Sequence, residues 1–240
     1  MNRPTITTII IIICLLIIGL YASGEVNYFA SKISVERNID SPTIVIPSVG
    51  INEKINNETL DLGVLHGPTS YNPTQGDVIL FGHRTLQGSP FLRLNEVNKG
   101  DELVLEWPEI GEVKYKVIDK TVVPADYQLS ANEGGNYIYL VTCDPIGSTE
   151  NRLIIQGELS QTSPLNEQIL KDNPQESNAF IISALFLVIG LAFSFFYSKD
   201  QRIYILATVL IISALLFYFC LFPIPSEIIY DKINFLNGGM

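Results

Sequence analysis

The sequence predicts an all-β domain of barrel or sandwich class, carried on helices that cross a membrane. Two observations carry that expectation. Between Pro42 and Leu159 the chain breaks into short runs rich in Val, Ile, Thr and Tyr, each bounded by Gly, Pro, Asn or Asp, which is the pattern of several short strands joined by turns. On either side lie three apolar runs without an internal charge, Ile6–Ala22, Ala179–Tyr197 and Ile203–Phe222. Each approaches the roughly 20 apolar residues that a helix needs to cross a ~30 Å hydrocarbon core.

The first run is too long for the roughly 7–15-residue apolar stretch of a cleaved signal peptide, so a retained anchor is expected. Arg3 flanks it, and Lys199 and Arg202 lie in the "SKDQR" link between the other two runs. Basic residues mark the cytoplasmic side. Three spans then leave everything between the first and second outside the cytoplasm, and the tail as well. The expected organisation is an anchor at 1–23, a stalk at 24–41, a β domain at 42–160, a polar linker at 161–178, two spans within 179–222, and an extracytoplasmic tail at 223–240. The chain is thus read as a multi-pass protein of the cell membrane.

Within the β domain, "TIVIP" and "VGINEKI" read as strands interrupted by proline and glycine. "GDVILFGH" reads as a turn followed by a buried strand. "GDELVLEWPEIGEVKYKVIDKTVVP" reads as two strands joined through "PEIGE" into a hairpin. "NYIYLVTC" and "RLIIQGEL" supply two more, and short helical pieces are expected near Glu58–Leu62 and Pro90–Glu96. With 25 acidic against 15 basic residues, the net charge is −10. That excludes the basic surface required of a nucleic-acid-binding protein.

The chemistry-bearing residues are few. The chain has three cysteines and two histidines, and Cys14 and Cys220 fall inside the apolar runs. Cys143 is left as an unpaired thiol in an exported domain, where cysteines are ordinarily paired. It stands at the end of one expected strand, His83 at the end of another, and Arg152 opens a third. A thiol becomes nucleophilic as its thiolate, which a neighbouring histidine can support. An arginine fork can hold a carbonyl oxygen or a developing oxyanion. Taken singly, each has a plainer reading: a small core hydrophobe, a filler histidine, a surface ion pair with Glu150 or Asp144.

The residues together resemble the sortase family of membrane-anchored cysteine transpeptidases. "VILFGHRT", "YLVTCDP" and "NRLIIQGEL" carry the likeness, and "IPSVGINEKI", "LGVLHGPTSYNPTQGDV" and "FLRLNEVNKGDELVLE" extend it over Thr43 to Leu159 in the family's order. The family signature Thr-Leu-x-Thr-Cys is met except at its first position, which is Tyr139 here. The resemblance implies an eight-stranded β-barrel with short helices. It also implies a catalytic triad of Cys143 as nucleophile, His83 as general acid and base, and Arg152 at the oxyanion or substrate, with Thr142 beside the thiol as a substrate contact. His66, in "VLHGP", is read as structural. Asp144 opposes thiolate formation by its charge, and its simpler role is in the "DP" turn.

The implied reaction cleaves a carboxyl-terminal sorting motif of secreted proteins, passes through a thioacyl enzyme, and transfers the acyl group to an amine of the cell envelope. It needs no cofactor and no metal. The stretch Glu25–Ser41 holds Asp40 but no Asp-Pro-aromatic motif of the inhibitory lid carried by pilin-polymerising members, which favours the non-pilin type. Two other classes stay open at this point: a membrane-tethered cysteine peptidase that mainly hydrolyses, and a non-catalytic surface-assembly module.

Overall fold

A computed structural model of the chain describes residues 3–35, 41–85, 88–171, 175 and 177–224. The chain divides into two compact units, one made of residues 35–174 and one of residues 1–34 with 175–240. The end of the expected stalk, part of the linker and the tail beyond residue 224 lie outside the described residues.

In the first unit eight strands close into a barrel. They are β1 (Thr43–Ile46), β2 (Ile51–Asn56), β3 (Val64–His66), β4 (Val78–Phe81), β5 (Glu102–Trp107), β6 (Gly111–Pro124), β7 (Tyr137–Asp144) and β8 (Asn151–Ser163). The order around the barrel is β1-β2-β3-β4-β7-β8-β6-β5, with β5 returning to β1. β2–β3 and β4–β7 are parallel pairs, and the others are antiparallel. Of the two folds left open by the strand pattern, the closed barrel is the one adopted. Closure removes the exposed strand edges that a sandwich would have to protect.

Alternation sets which side chains fill the interior. Along β2, Ile51 and Ile55 point into the core, and along β7 Ile138 and Leu140 do the same. Ile44, Ile46, Leu103, Leu105, Tyr115, Leu153 and Ile155 complete a single apolar cluster with Phe91 and Leu94 from the connection after β4. Gly157 is required by this packing: a Cβ there would meet Ile138, Leu103 and Tyr115 at 2.9–3.1 Å. β3 is too short for its pattern to show in the sequence, and it went unread. The helical pieces shrink to 3-10 turns at Leu60–Leu62 and Leu94–Glu96. The hairpin expected at "PEIGE" forms between β5 and β6. β8 runs on to Ser163, three residues into the expected linker, because β6 is long enough to pair with it there. The linker also holds a short helix, α2 (Glu167–Lys171).

Among its described residues the second unit holds three helices long and apolar enough to cross a membrane. They are α1 (Ile6–Val35), α3 (Asn178–Phe196) and α4 (Arg202–Leu221). α1 continues unbroken past residue 23, through most of the stretch read as a stalk or short helix. It does so because Val26, Tyr28, Phe29 and Ala30 are buried in one cluster with Ala179, Ile212 and Leu216 of α3 and α4. The helices approach closely at small residues. A Cβ on Gly19 would lie 2.7 Å from Ile212, and one on Gly190 would lie 2.5 Å from Val209, a packing mode suited to lipid. Buried polar groups at both ends find partners. Gln201 accepts from the Thr5 amide and the Thr8 hydroxyl, and Asn27 accepts from the Ile224 amide.

Candidate active site

The three residues singled out in the sequence lie in, or just past the end of, neighbouring strands of the barrel. Cys143 lies in β7 and Arg152 in β8, and they are directly opposite partners in the antiparallel ladder. Directly opposed residues project to the same face of a sheet, with Cβ atoms ~4.5–5.5 Å apart. The connecting loop is therefore only residues 145–150, since Asp144 and Asn151 themselves pair.

β4 runs parallel to β7 in the register Phe81↔Val141. Two residues further along each chain come His83 and Cys143. The ladder does not stop abruptly at Phe81, because the Gly82 amide donates to Val141 O at 3.1 Å. His83 thus leaves the sheet just past the end of β4, the strand that neighbours the one carrying the thiol. Glycine is needed just before it: a Cβ on Gly82 would sit 2.5 Å from the Phe91 ring. The Phe91 amide in turn donates to His83 O at 3.0 Å, so the loop bearing the histidine is pinned from both sides.

The thiol of Cys143 is free and half-buried. His83 is likewise partly exposed, and its Nε2 lies 3.5 Å from Asp61 Oδ1 on the 3-10 turn after β2. Arg152 donates from Nη1 to Thr149 O at 2.9 Å and to Asn151 O at 3.1 Å. These bonds hold the stem of the guanidinium against the loop beside Cys143. Among the described residues, both of its recorded hydrogen bonds leave from that one nitrogen.

Thr142 is placed differently from the expectation that it touches a substrate. It shares the interior face with Ile138 and Leu140, is buried, and donates its hydroxyl to Gly82 O at 2.7 Å. Alternation forces this: next to an outward-facing Cys143, its neighbour must face inward. Asp144 is not an isolated charge beside the thiol either, because Arg84 Nη1 meets its Oδ1 at 2.6 Å. Sequence reading passed over Arg84. Its one signal was an arginine directly after the histidine in "GHR", in a chain with few basic residues.

His66 stands apart from this group. Its Nε2 lies 3.1 Å from Tyr71 O and 2.9 Å from the Ser70 hydroxyl, and its ring packs edge-on against Trp107 at 5.4 Å. Burial holds this imidazole below the usual histidine range, partly offset by the Tyr71 carbonyl. It is a bonded structural histidine. Among the described residues no group of three or more His, Cys, Asp or Glu side chains gathers to hold a metal ion.

On the face shared by Cys143, the sheet carries a small apolar patch. Ile79, Val141 and Ile154 are buried there, with Phe81, Val123, Leu129, Ala131 and Tyr139 around them. The arrangement is a nucleophile, an imidazole and a guanidinium at one end of an apolar strip on a rigid sheet.

The comparisons with known proteins agree on one family. The family model described as "Sortase domain" matches residues 39–160. Sortase A of Listeria monocytogenes is 28% identical over 159 residues, covering 62% of this chain and 71% of that protein. Sortase SrtE2 of Streptomyces coelicolor is 29% identical over 111 residues, covering 41% of this chain and 42% of that protein. Among solved structures, sortase C-1 from Actinomyces oris is 31% identical, covers 50% of this chain and 72% of that one, and has a TM-score of 0.46. With just over half of its 240 residues matched by that family model, and all of the barrel from β1 to most of β8 inside the match, this chain belongs to the sortase family of cysteine transpeptidases.

Proposed function

We propose that the barrel cleaves a carboxyl-terminal sorting motif of secreted proteins and joins the new carboxyl end to an amine of the cell envelope. The observation that carries this reading is the cross-strand pairing of Cys143 with Arg152, with His83 two residues past the β4 residue that pairs with Val141. The apolar strip around Ile79, Val141 and Ile154 supplies a floor for an extended peptide leading to the thiol.

The steps follow from the groups. The Cys143 thiolate attacks the carbonyl carbon of the scissile peptide bond, and negative charge moves to the carbonyl oxygen. In this reading Arg152 donates to that oxygen from the guanidinium nitrogens that do not bond the Thr149–Asn151 loop. His83, as imidazolium, protonates the departing amine as the C–N bond breaks, which leaves a thioester on Cys143. The acceptor amine then attacks the thioester and gives its proton to His83. A new amide forms, the C–S bond breaks, and the thiolate returns. Every bond broken is matched by one formed, without an external oxidant or cofactor. Water competes with the amine for the same thioester.

We further propose that α1, α3 and α4 cross the membrane with the barrel and the tail outside the cytoplasm. Basic residues at Arg3, Lys199 and Arg202 support that orientation. A shared membrane plane raises the effective concentration of an anchored substrate. The absence of an Asp-Pro-aromatic lid motif in Glu25–Ser41 supports attachment of single proteins over pilin polymerisation.

The decisive experiment incubates the full chain in detergent with a panel of candidate sorting peptides and reads Cys143 by mass spectrometry. An acyl adduct on Cys143, released faster when an amine is added and joined to it, is the expected result. A folded protein that forms no adduct with any peptide and whose Cys143→Ala variant retains activity would overturn the proposal. Release only as free acid, unaltered by amine, would assign hydrolysis instead.

A further inference from the structure

We propose that Arg84 is a positioning residue of the cysteine site, holding the Cys143 backbone and neutralising Asp144 so that the carboxylate does not oppose the thiolate. This rests on the reading of Cys143 as the nucleophile.

The geometry is specific. The Arg84 side chain is buried. Its Nη1 donates to Cys143 O at 3.2 Å and to Asp144 Oδ1 at 2.6 Å, while Nε reaches Leu92 O at 3.5 Å. Burying a guanidinium is costly, and an apolar side chain of similar volume commonly stabilises such a position as well or better. An arginine kept there is therefore better explained by what it holds than by stability. A single nitrogen, Nη1, both grips the carbonyl of the nucleophile residue itself and meets the carboxylate next in the chain.

Arg84 also completes a set of ties between the histidine loop and the cysteine strand. The Gly82 amide donates to Val141 O, the Thr142 hydroxyl donates to Gly82 O, and Arg84 donates to Cys143 O and Asp144. His83 lies between the tied residues. The segment that carries it is thus held to the cysteine strand on both sides, which is the preorganisation that proton transfer between the two requires.

The electrostatic half of the proposal has a clear sign. The charged and titratable groups around the thiol are His83 and Arg84 after β4, Asp144 on β7, Arg152 on β8 and Glu150 on the loop between them, with Asp61 facing His83. Asp144 is the carboxylate adjacent to Cys143 in the chain. A carboxylate near a thiol favours the neutral form, and a cation favours the charged one. Paired with Arg84, Asp144 contributes little of either. Removing Arg84 restores the opposition, and removing Asp144 leaves the cation unbalanced.

The test measures alkylation of Cys143 by iodoacetamide against pH in the full chain, with the rate read at that peptide by mass spectrometry. The thiolate sulfur forms a bond to the methylene carbon and iodide leaves, so the rate follows thiolate population. In Arg84→Met the midpoint is expected to rise by about one unit, in Asp144→Asn to fall, and in the double variant to return toward wild type. Turnover of Arg84→Met is expected to drop about tenfold to a hundredfold in kcat, with KM much less affected. The double variant recovers the pH midpoint but not kcat, because the hold on the Cys143 carbonyl stays lost. Superimposable alkylation profiles for Arg84→Met and wild type would overturn the proposal. If Arg84→Met does not fold, Asp144→Asn alone decides: an unshifted midpoint overturns it. Failure of the function reading shows separately, as absence of any acyl adduct in wild type, whereas the alkylation profiles report on Arg84 either way.

Discussion

The two faces of β7 differ in kind although they share one backbone. On the inner face, Ile138 and Leu140 are fully buried in the large apolar cluster that fills the barrel, and Thr142 is buried with its hydroxyl tied to Gly82. On the other, Tyr139 and Val141 join a small satellite cluster, and Cys143 ends the row half-exposed opposite Arg152. The inner face holds the register, and the outer face uses it. Since side chains alternate with a period of two, a slip of one residue would carry Cys143 inside and Leu140 out. The core is therefore what keeps the thiol on the outer face.

That contrast is broken most decisively at the reactive face. Cys143→Ala is expected to lose acylation completely while keeping its thermal stability. His83→Ala is expected to lose about a thousandfold, and Arg152→Lys about tenfold to a hundredfold, because lysine keeps the charge without the planar fork. Peptide-cleavage kinetics with parallel melting curves check all three. Wild-type rates for Arg152→Lys would reduce that residue to a support for the loop at Thr149.

The opposite outcome is expected from the inner face. Leu140→Ala opens a cavity in the barrel and should cost about 2–5 kcal/mol of stability by denaturant unfolding, with activity per folded molecule largely kept. A stability loss no larger than that of Val141→Ala on the outer patch would mean the two faces are not distinct. Thr142→Val tests the residue that joins them. It keeps the shape but leaves the buried Gly82 carbonyl without its donor, for about 1–3 kcal/mol, and it loosens the loop before His83. A variant equal to wild type in both stability and kcat would remove Thr142 from the positioning set.

The smallest effect separates the two histidines. His66 is held below the usual range by burial, so between its folded titration and about 6.5, where a free histidine titrates, the unfolded chain binds more protons. Stability therefore rises with pH across that window. The contribution is fully present above about 6.5 and is lost as pH falls through the folded titration. His66→Gln should flatten the acid-side decline in melting temperature while leaving most activity intact. Parallel melting curves for the two proteins across that window would show that His66 carries no such linkage.

Much of the fold was legible because it is written locally. Strands β1, β2 and β4 to β8 announce themselves through alternation and turn residues within a few positions, and the three apolar spans do so through length. β3 was missed because three residues in a short bridge make no pattern. The length of α1 was not legible because polarity after residue 23 suits a stalk or a short helix alike. What accompanies the helix there is packing of Val26, Tyr28 and Phe29 against residues about 150 to 190 positions away.

The sequence by itself determined the residue types of the candidate site, through one thiol, one histidine and an arginine at strand ends, and through their likeness to a family. Only the tertiary structure decided how they meet. The segment bearing His83 follows the strand beside that of Cys143 because β4 pairs in parallel with β7 across the intervening chain from Gly82 to Asn136, and no local pattern encodes a partner at that separation. Thr142 turned inward for the same reason that Cys143 turned outward. Arg84 acquired its role from a carbonyl and a carboxylate some sixty residues away. Local propensity chooses elements, but barrel closure chooses neighbours, because burying both ends of the strand order at once leaves a single arrangement of the sheet.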